Sequence, residues 1–242
     1  MDPQVLADDE CDAIIDVSEQ MGYTEDAPVS LGRNIRRNEN CVWIADDAVA
    51  ASIFERCQSF IPPEIVLEGA RGVVRIGPAV GLNRRWRLYK YGEGDTFTWH
   101  TDGGWSGSGL GDDGSLVDDL YDGKRHSWMT FLMYLNEDFD GGETSFQNAR
   151  GEVFSVTPKK GAVLCFFHGD GPGGDGRSGP RRRRGGRPLE ACRSDAAATR
   201  PYGRSRAGYH PLSPLHQSEL ITRGVKYVAR SDVLYEMPEN LR

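Results

Sequence analysis

From Val73 onward the chain is written in short strand-like runs. Arg85–Tyr91, Ser127–Leu135, Glu143–Phe146, Val153–Val156, Ala162–Phe167 and Lys226–Tyr235 lie between turns that contain glycine. So many brief segments cannot each bury an apolar face alone, and they point to two sheets packed together, a β-sandwich or jelly roll. Ahead of them, residues 6–22 and 46–61 show helical spacing. In the first, Cys11, Ile14, Ile15 and Met21 share a face, Asp8 or Asp9 is placed to cap it, and Gly22 to stop it. In the second, Val49, Ile53, Cys57 and Phe60 form the stripe, and Pro62-Pro63 ends it. Both helices are expected to buttress a sheet. The reading is a mainly β domain with N-terminal helices: residues 1–72 as helical support, then 73–170 and 210–236 as a jelly-roll core.

Residues 171–209 interrupt that core. They hold nine Gly and ten Arg with three acids, a local balance of +7, so the rest of the chain carries −14 of the net −7. Such a composition cannot bury enough apolar surface to order itself, which predicts a disordered Arg/Gly-rich insertion. Arg181–Arg184 resembles a nuclear-localisation or nucleic-acid patch, but the acidic body repels phosphate, so nucleic acid is not the expected partner. Five scattered cysteines without a C-x-x-C pair read as reduced thiols. With no long apolar run and no basic-then-apolar start, the expectation is a cytoplasmic or nuclear protein without a membrane partner.

The chemistry concentrates in Tyr89–Asp102. His100 and Asp102 are two apart, so on a strand their side chains leave one face together. They supply two thirds of a facial set of two His and one carboxylate, which leaves open positions on Fe(II) for oxygen chemistry. His216 heads a later strand-like run and is the candidate third ligand, with His168 and His210 as competitors. Lys226 lies ten residues beyond it, placed to return to the same cavity as a fixed cation. Thr130 and Tyr134, four apart, share one face of their strand and offer hydroxyls beside that cation, a receptor for a carboxylate. Residues 103–126 form a long Gly/Ser/Asp-rich loop, for which a substrate-facing lid carrying Trp105 is one reading. Arg230 reads as either a second carboxylate partner or an exposed charge.

These residues resemble the prolyl 4-hydroxylase-like group of Fe(II)/2-oxoglutarate dioxygenases. The match runs through Tyr91-Gly92 with Gly94, Phe97, His100-x-Asp102, Thr130-x-x-x-Tyr134-Leu135, Gly141-Gly142-Glu143-Thr144, Lys159-x-Gly161, Phe166-Phe167, His216 and Lys226. The resemblance implies a double-stranded β-helix with iron held by His100, Asp102 and His216. It implies 2-oxoglutarate chelating through its keto-acid end, with its distal carboxylate on Lys226, supported by Tyr134 and Thr130, in a pocket lined by Tyr91. It implies O2 as oxidant, L-ascorbate as accessory reductant, and succinate and CO2 as co-products. The substrate class implied is a protein or peptide side chain, prolyl first. A free amino acid or small molecule is the alternative, and a non-catalytic jelly-roll binding module is the reading from a different class.

Overall fold

The computed structural model describes residues 4–25, 35–69, 72–148, 150–168 and 214–241. The expected insertion at 171–209 and the competitor His210 lie outside the described residues.

Among the described residues two helices precede the core strands. α1 (Asp8–Met21) buries Cys11 and Ile14 and stops at Gly22, whose positive φ of 85° lets its N–H reach back to Ser18 and Glu19. The expected aspartate cap is corrected: Ala7 is the N-cap, and Glu10 reaches back to accept the Ala7 N–H. Met21 is exposed, because it falls on the last residue, past the sheet that α1 covers. α2 (Asp47–Cys57) is capped by Asp46, which accepts from the Ala48 N–H. Its buried stripe is Ala50, Ile53 and Cys57. Val49 and Phe60 instead face solvent, since the helix ends at Cys57 and a 3-10 turn carries Phe60 away.

Eight strands make the core: β1 (Arg85–Tyr91), β2 (Thr96–His100), β3 (Arg125–Tyr134), β4 (Thr144–Gln147), β5 (Val153–Val156), β6 (Val163–Phe167), β7 (Leu215–Ser218) and β8 (Lys226–Glu236). The large sheet runs β6-β3-β8-β1 and the small one β2-β7-β4-β5, all neighbours antiparallel. Successive strands thus pass between two sheets and pair with partners distant in sequence, as in a double-stranded β-helix. Residues 1–72 also give strand Glu39–Ile44, which extends the large sheet beside β1, and Ile65–Gly69, which forms a hairpin with Gly72–Ile76. No helix among the described residues is long and apolar enough to cross a membrane.

The pleat divides the large sheet into two unlike faces. Trp86, Leu88, Met129, Phe131, Met133, Ala229, Val233 and Tyr235 pack with α1 and α2 as the main apolar core. The opposite face, toward the small sheet, carries Tyr89, Tyr91, Thr130, Tyr134, Lys226 and Arg230. Helices therefore sit on one side of the large sheet and the site on the other.

Gly141 joins the layers at a tight approach. Its φ is +79°, and a Cβ there would run into the Leu220 carbonyl oxygen, on the segment leading into β8. Gly151 has a similar φ of +83° but almost open space around it. Gly151→Ala is expected to cost only the left-handed penalty, about 1 kcal/mol. Gly141→Ala adds a backbone collision and is expected to cost at least about 2 kcal/mol more. Urea midpoints of the two variants, at unchanged m-value, measure the difference.

Candidate active site

The register places the three candidate ligands. His216 of β7 stands opposite His100 of β2, with ring centroids 4.1 Å apart, and Asp102 follows two residues after His100. His100 Nδ1 lies 2.7 Å from the Thr98 carbonyl oxygen and His216 Nδ1 lies 3.1 Å from that of Pro214. A carbonyl only accepts, so each Nδ1 carries the hydrogen and each Nε2 keeps its lone pair. Those Nε2 atoms sit 3.8 and 3.6 Å from the Asp102 carboxylate oxygens. One ligand atom from each of the three lies within 4.8 Å of the others.

The electrostatics suit a cation. Burial pushes His100 down to about 4 and lowers His216 as well, so both rings are neutral donors at neutral pH. Burial alone would raise the Asp102 carboxyl. The Arg230 guanidinium, His216, His100 and the Thr130 hydroxyl outweigh it and hold the carboxyl far below the usual range. Thr130 Oγ1 donates to Asp102 Oδ2 at 2.7 Å, and Arg230 Nη1 donates to Oδ1 at 2.9 Å. Two neutral imidazoles and one oriented carboxylate on a concave surface fit divalent iron with positions left open.

The triad shares a cavity of about 450 Å³, counting its mouth, with Lys226. Lys226 is 1% exposed. Its ammonium donates to Gly142 O at 2.5 Å and Ser218 Oγ at 3.0 Å, and it forms no ion pair among the described residues. The rings of Tyr91 and Tyr134 each lie 5.6 Å from Nζ. Burial pushes this amine down to about 7, with Glu143 opposing weakly. A buried ammonium with a donor to spare is costly alone and matches a carboxylate. Tyr134 Oη is hydrogen-bonded to Thr144 Oγ1 at 2.7 Å on the cavity wall.

One expectation changes role. Thr130 does not stand beside Lys226: its hydroxyl is committed to Asp102, because it pairs with Asp232, six residues along β8 from the lysine, whereas Tyr134 pairs with Val228. His168 stays out of the triad, its Nε2 lying 3.7 Å from Asp232. Trp105 is tied to the large sheet. Its ring covers Arg87 at 4.3 Å, and its backbone is tied to Ser127 on both sides. Arg230 is buried and bonded to Asp102, a role that sequence reasoning left open. Also unanticipated is an aromatic wall: Phe166 and Phe146 lie 4.6 and 5.8 Å from the His216 ring, and Phe154, more than half exposed, stacks on Phe146. The alternation of Lys226, Arg230 and Asp232 within an otherwise apolar strand was the signal for a charged inner face.

Residues 86–178 match the family model described as the 2OG-Fe(II) oxygenase superfamily. Comparison with curated proteins finds no match. Among solved structures, the viral collagen prolyl hydroxylase vCPH from Paramecium Bursaria Chlorella virus-1, in its 2OG complex, aligns over 98% of this chain and 94% of its own, at 16% identity and a TM-score of 0.48. A Pseudomonas putida prolyl-4-hydroxylase aligns over 95% and 89%, at 12% identity and 0.48. HygX from Streptomyces hygroscopicus, with nickel and 2-oxoglutarate bound, aligns over 99% and 87%, at 12% identity and 0.41.

The unpaired lysine has a measurable signature. Its folded pKa of about 7 lies below the ordinary lysine value of 10.5, so the unfolded chain binds the extra proton between those values. Ligand-free stability therefore rises with pH across that window on this lysine's account. Lys226→Met is expected to be more stable than wild type at pH 7, by about 1–3 kcal/mol, and to lose that part of the rise. Denaturant titrations of both proteins at pH 7 and pH 9 give the comparison.

Proposed function

We propose that this chain, whose residues 86–178 match the 2OG-Fe(II) oxygenase superfamily, is such an oxygenase and hydroxylates a C–H bond of an amino-acid residue, prolyl first, releasing succinate and CO2. The observation that carries the reading is the pairing, within one cavity, of the His100–Asp102–His216 cluster with a buried lysine that has no carboxylate of its own. His100, Asp102 and His216 would hold Fe(II). When bound, the iron together with 2-oxoglutarate and O2 supplies the oxidising power that puts one oxygen atom into the substrate and splits the keto acid.

The chain's own residues do the positioning. Lys226 takes the distal carboxylate of 2-oxoglutarate, a charge-assisted bond in a site with little water. Tyr91 and Tyr134 enclose the lysine, and Thr144 fixes the Tyr134 hydroxyl. Thr130 and Arg230 hold Asp102 in one orientation, so the carboxylate needs little reorganisation to serve as a ligand. Phe166 lines the cavity beside His216, with Phe146 packed against both, and presents an apolar face suited to ring methylenes. That wall supports a prolyl ring as the group hydroxylated. The motif resemblance through Gly141-Gly142-Glu143-Thr144 and Lys226 supports it too. L-Ascorbate is the expected reductant for keeping the iron ferrous.

Purified protein given Fe(II), 2-oxoglutarate and ascorbate is expected to release succinate, and Asp102→Ala to fall to background. Wild-type protein equal to that variant would remove the oxygenase reading. Mass spectrometry of proline-bearing substrates is expected to show one added oxygen. Because Lys226 must be charged to hold the co-substrate, the apparent KM for 2-oxoglutarate is expected to rise above pH 7, by up to about tenfold per pH unit.

A further inference from the structure

The inner face of β8 holds more charge than a metal triad and a keto acid use. Arg230 stands opposite Arg87 of β1 in the sheet register. Two guanidiniums side by side on one face repel. One carboxylate beyond the triad lies with them: Asp232, fully buried, 3.2 Å from Arg230 Nη2 and 3.5 Å from Arg87 Nη2. The second counter-charge is Asp102, 2.9 Å from Arg230 Nη1. The four charges balance only while Asp102 is counted against Arg230. A carboxylate that ligates a divalent cation has its charge taken up there. Two largely buried guanidiniums then share one carboxylate, and a buried charge without a full partner is expensive.

Among the described residues nothing else in the cluster makes up the deficit. The rings of His126 and His168 are both buried, and burial keeps them neutral. Arg230 Nε, both His168 ring nitrogens and His126 Nε2 have no hydrogen-bond partner among the described residues, and neither does Asp232 Oδ2. Arg230 also lines the cavity that contains the triad, Phe166 and Lys226. It therefore borders the space beside the metal ligands, while Trp105 lies over Arg87.

We infer that Arg230 anchors the substrate by a carboxylate, so that the substrate is a free amino acid or a chain-terminal residue rather than a residue inside a peptide. The inference rests on the oxygenase reading and narrows it. 2-Oxoglutarate does not meet the need: one of its carboxylates goes to Lys226, and the other belongs to the keto-acid end at the metal.

The test uses protein loaded with Fe(II) and 2-oxoglutarate under nitrogen, and reads the melting temperature on adding each of the twenty amino acids as the free acid and as its α-amide. At least one acid is expected to raise the melting temperature while its amide does not, and to bind on the order of 100-fold more tightly. An acetylated dipeptide ending in that residue then tells a chain end from a free amino acid. Arg230→Gln, which also loses the bond to Asp102, is expected to need more Fe(II) and 2-oxoglutarate, and at saturating levels of both to show no difference between acid and amide. Arg230→Lys is expected to restore part of the difference. Equal shifts from acid and amide, or none from either, overturn the inference. So does an Arg230→Gln variant that, at saturating Fe(II) and 2-oxoglutarate, still tells the acid from its amide. If the glutamine variant does not fold, the wild-type comparison and the lysine variant decide. Wild-type protein that makes no succinate and shows no response to 2-oxoglutarate fails the oxygenase reading instead, a separate result.

Discussion

One strand with two unlike faces governs this molecule. In β8 the pleat sends Tyr227, Ala229, Val233 and Tyr235 toward the helices and Lys226, Val228, Arg230 and Asp232 toward the small sheet. Because β3 and β1 flank β8 on both sides, those inner charges cannot turn out to water. Each must find a partner in the protein or in something bound. The apolar face makes this arrangement tolerable: a continuous core of Trp86, Phe131, Met133 and Tyr235 against α1 and α2 holds the sheet flat beneath an inner face that would not fold by itself.

The small sheet is organised by rungs rather than by layers of apolar residues. His100, His216, Phe146 and Phe154 are cross-strand neighbours on β2, β7, β4 and β5, one residue from each strand. A single rung thus supplies two of the three metal-ligand candidates and the aromatic wall beside them. A one-residue slip of β7 would turn His216 outward and put Leu215 or Gln217 in its place. The irregularity between His216 and Ser218 fits this division of labour, since both side chains serve the cavity: the histidine beside Asp102, the serine under Lys226.

How much of this the sequence made legible depends on whether a feature is local. His100-x-Asp102 is readable because a strand period of two fixes its geometry without knowledge of partners. His216 and Lys226 are readable because their spacing and order match a known pattern. The helices are readable in position but not in detail: Phe60 fits the stripe of α2 on paper and leaves it because the helix stops three residues earlier. Thr130 illustrates what spacing cannot give. It shares a face with Tyr134, yet a four-residue separation along a strand carries it to the other end of the cavity, where its hydroxyl meets Asp102. The role of Arg230 is set by Arg87, Asp102 and Asp232, and Arg87 and Asp102 lie more than a hundred residues away in the chain. The strand Glu39–Ile44 is hidden for a related reason, since its place beside β1 is a tertiary fact.

The same charge arithmetic bears on which amino-acid residue fits the site. A residue inside a peptide offers neutral amides on both sides, and amides leave a buried guanidinium pair short of charge. A residue with its own carboxylate would supply that charge where Arg230 borders the cavity, and leave the carbons of its side chain to meet Phe166. Lys226, at the far end of the same strand face, has the same need, which 2-oxoglutarate would meet in the proposed reaction. Two cations on one pleat, four residues apart, thus ask for two carboxylates, and a keto acid with an amino acid would bring them.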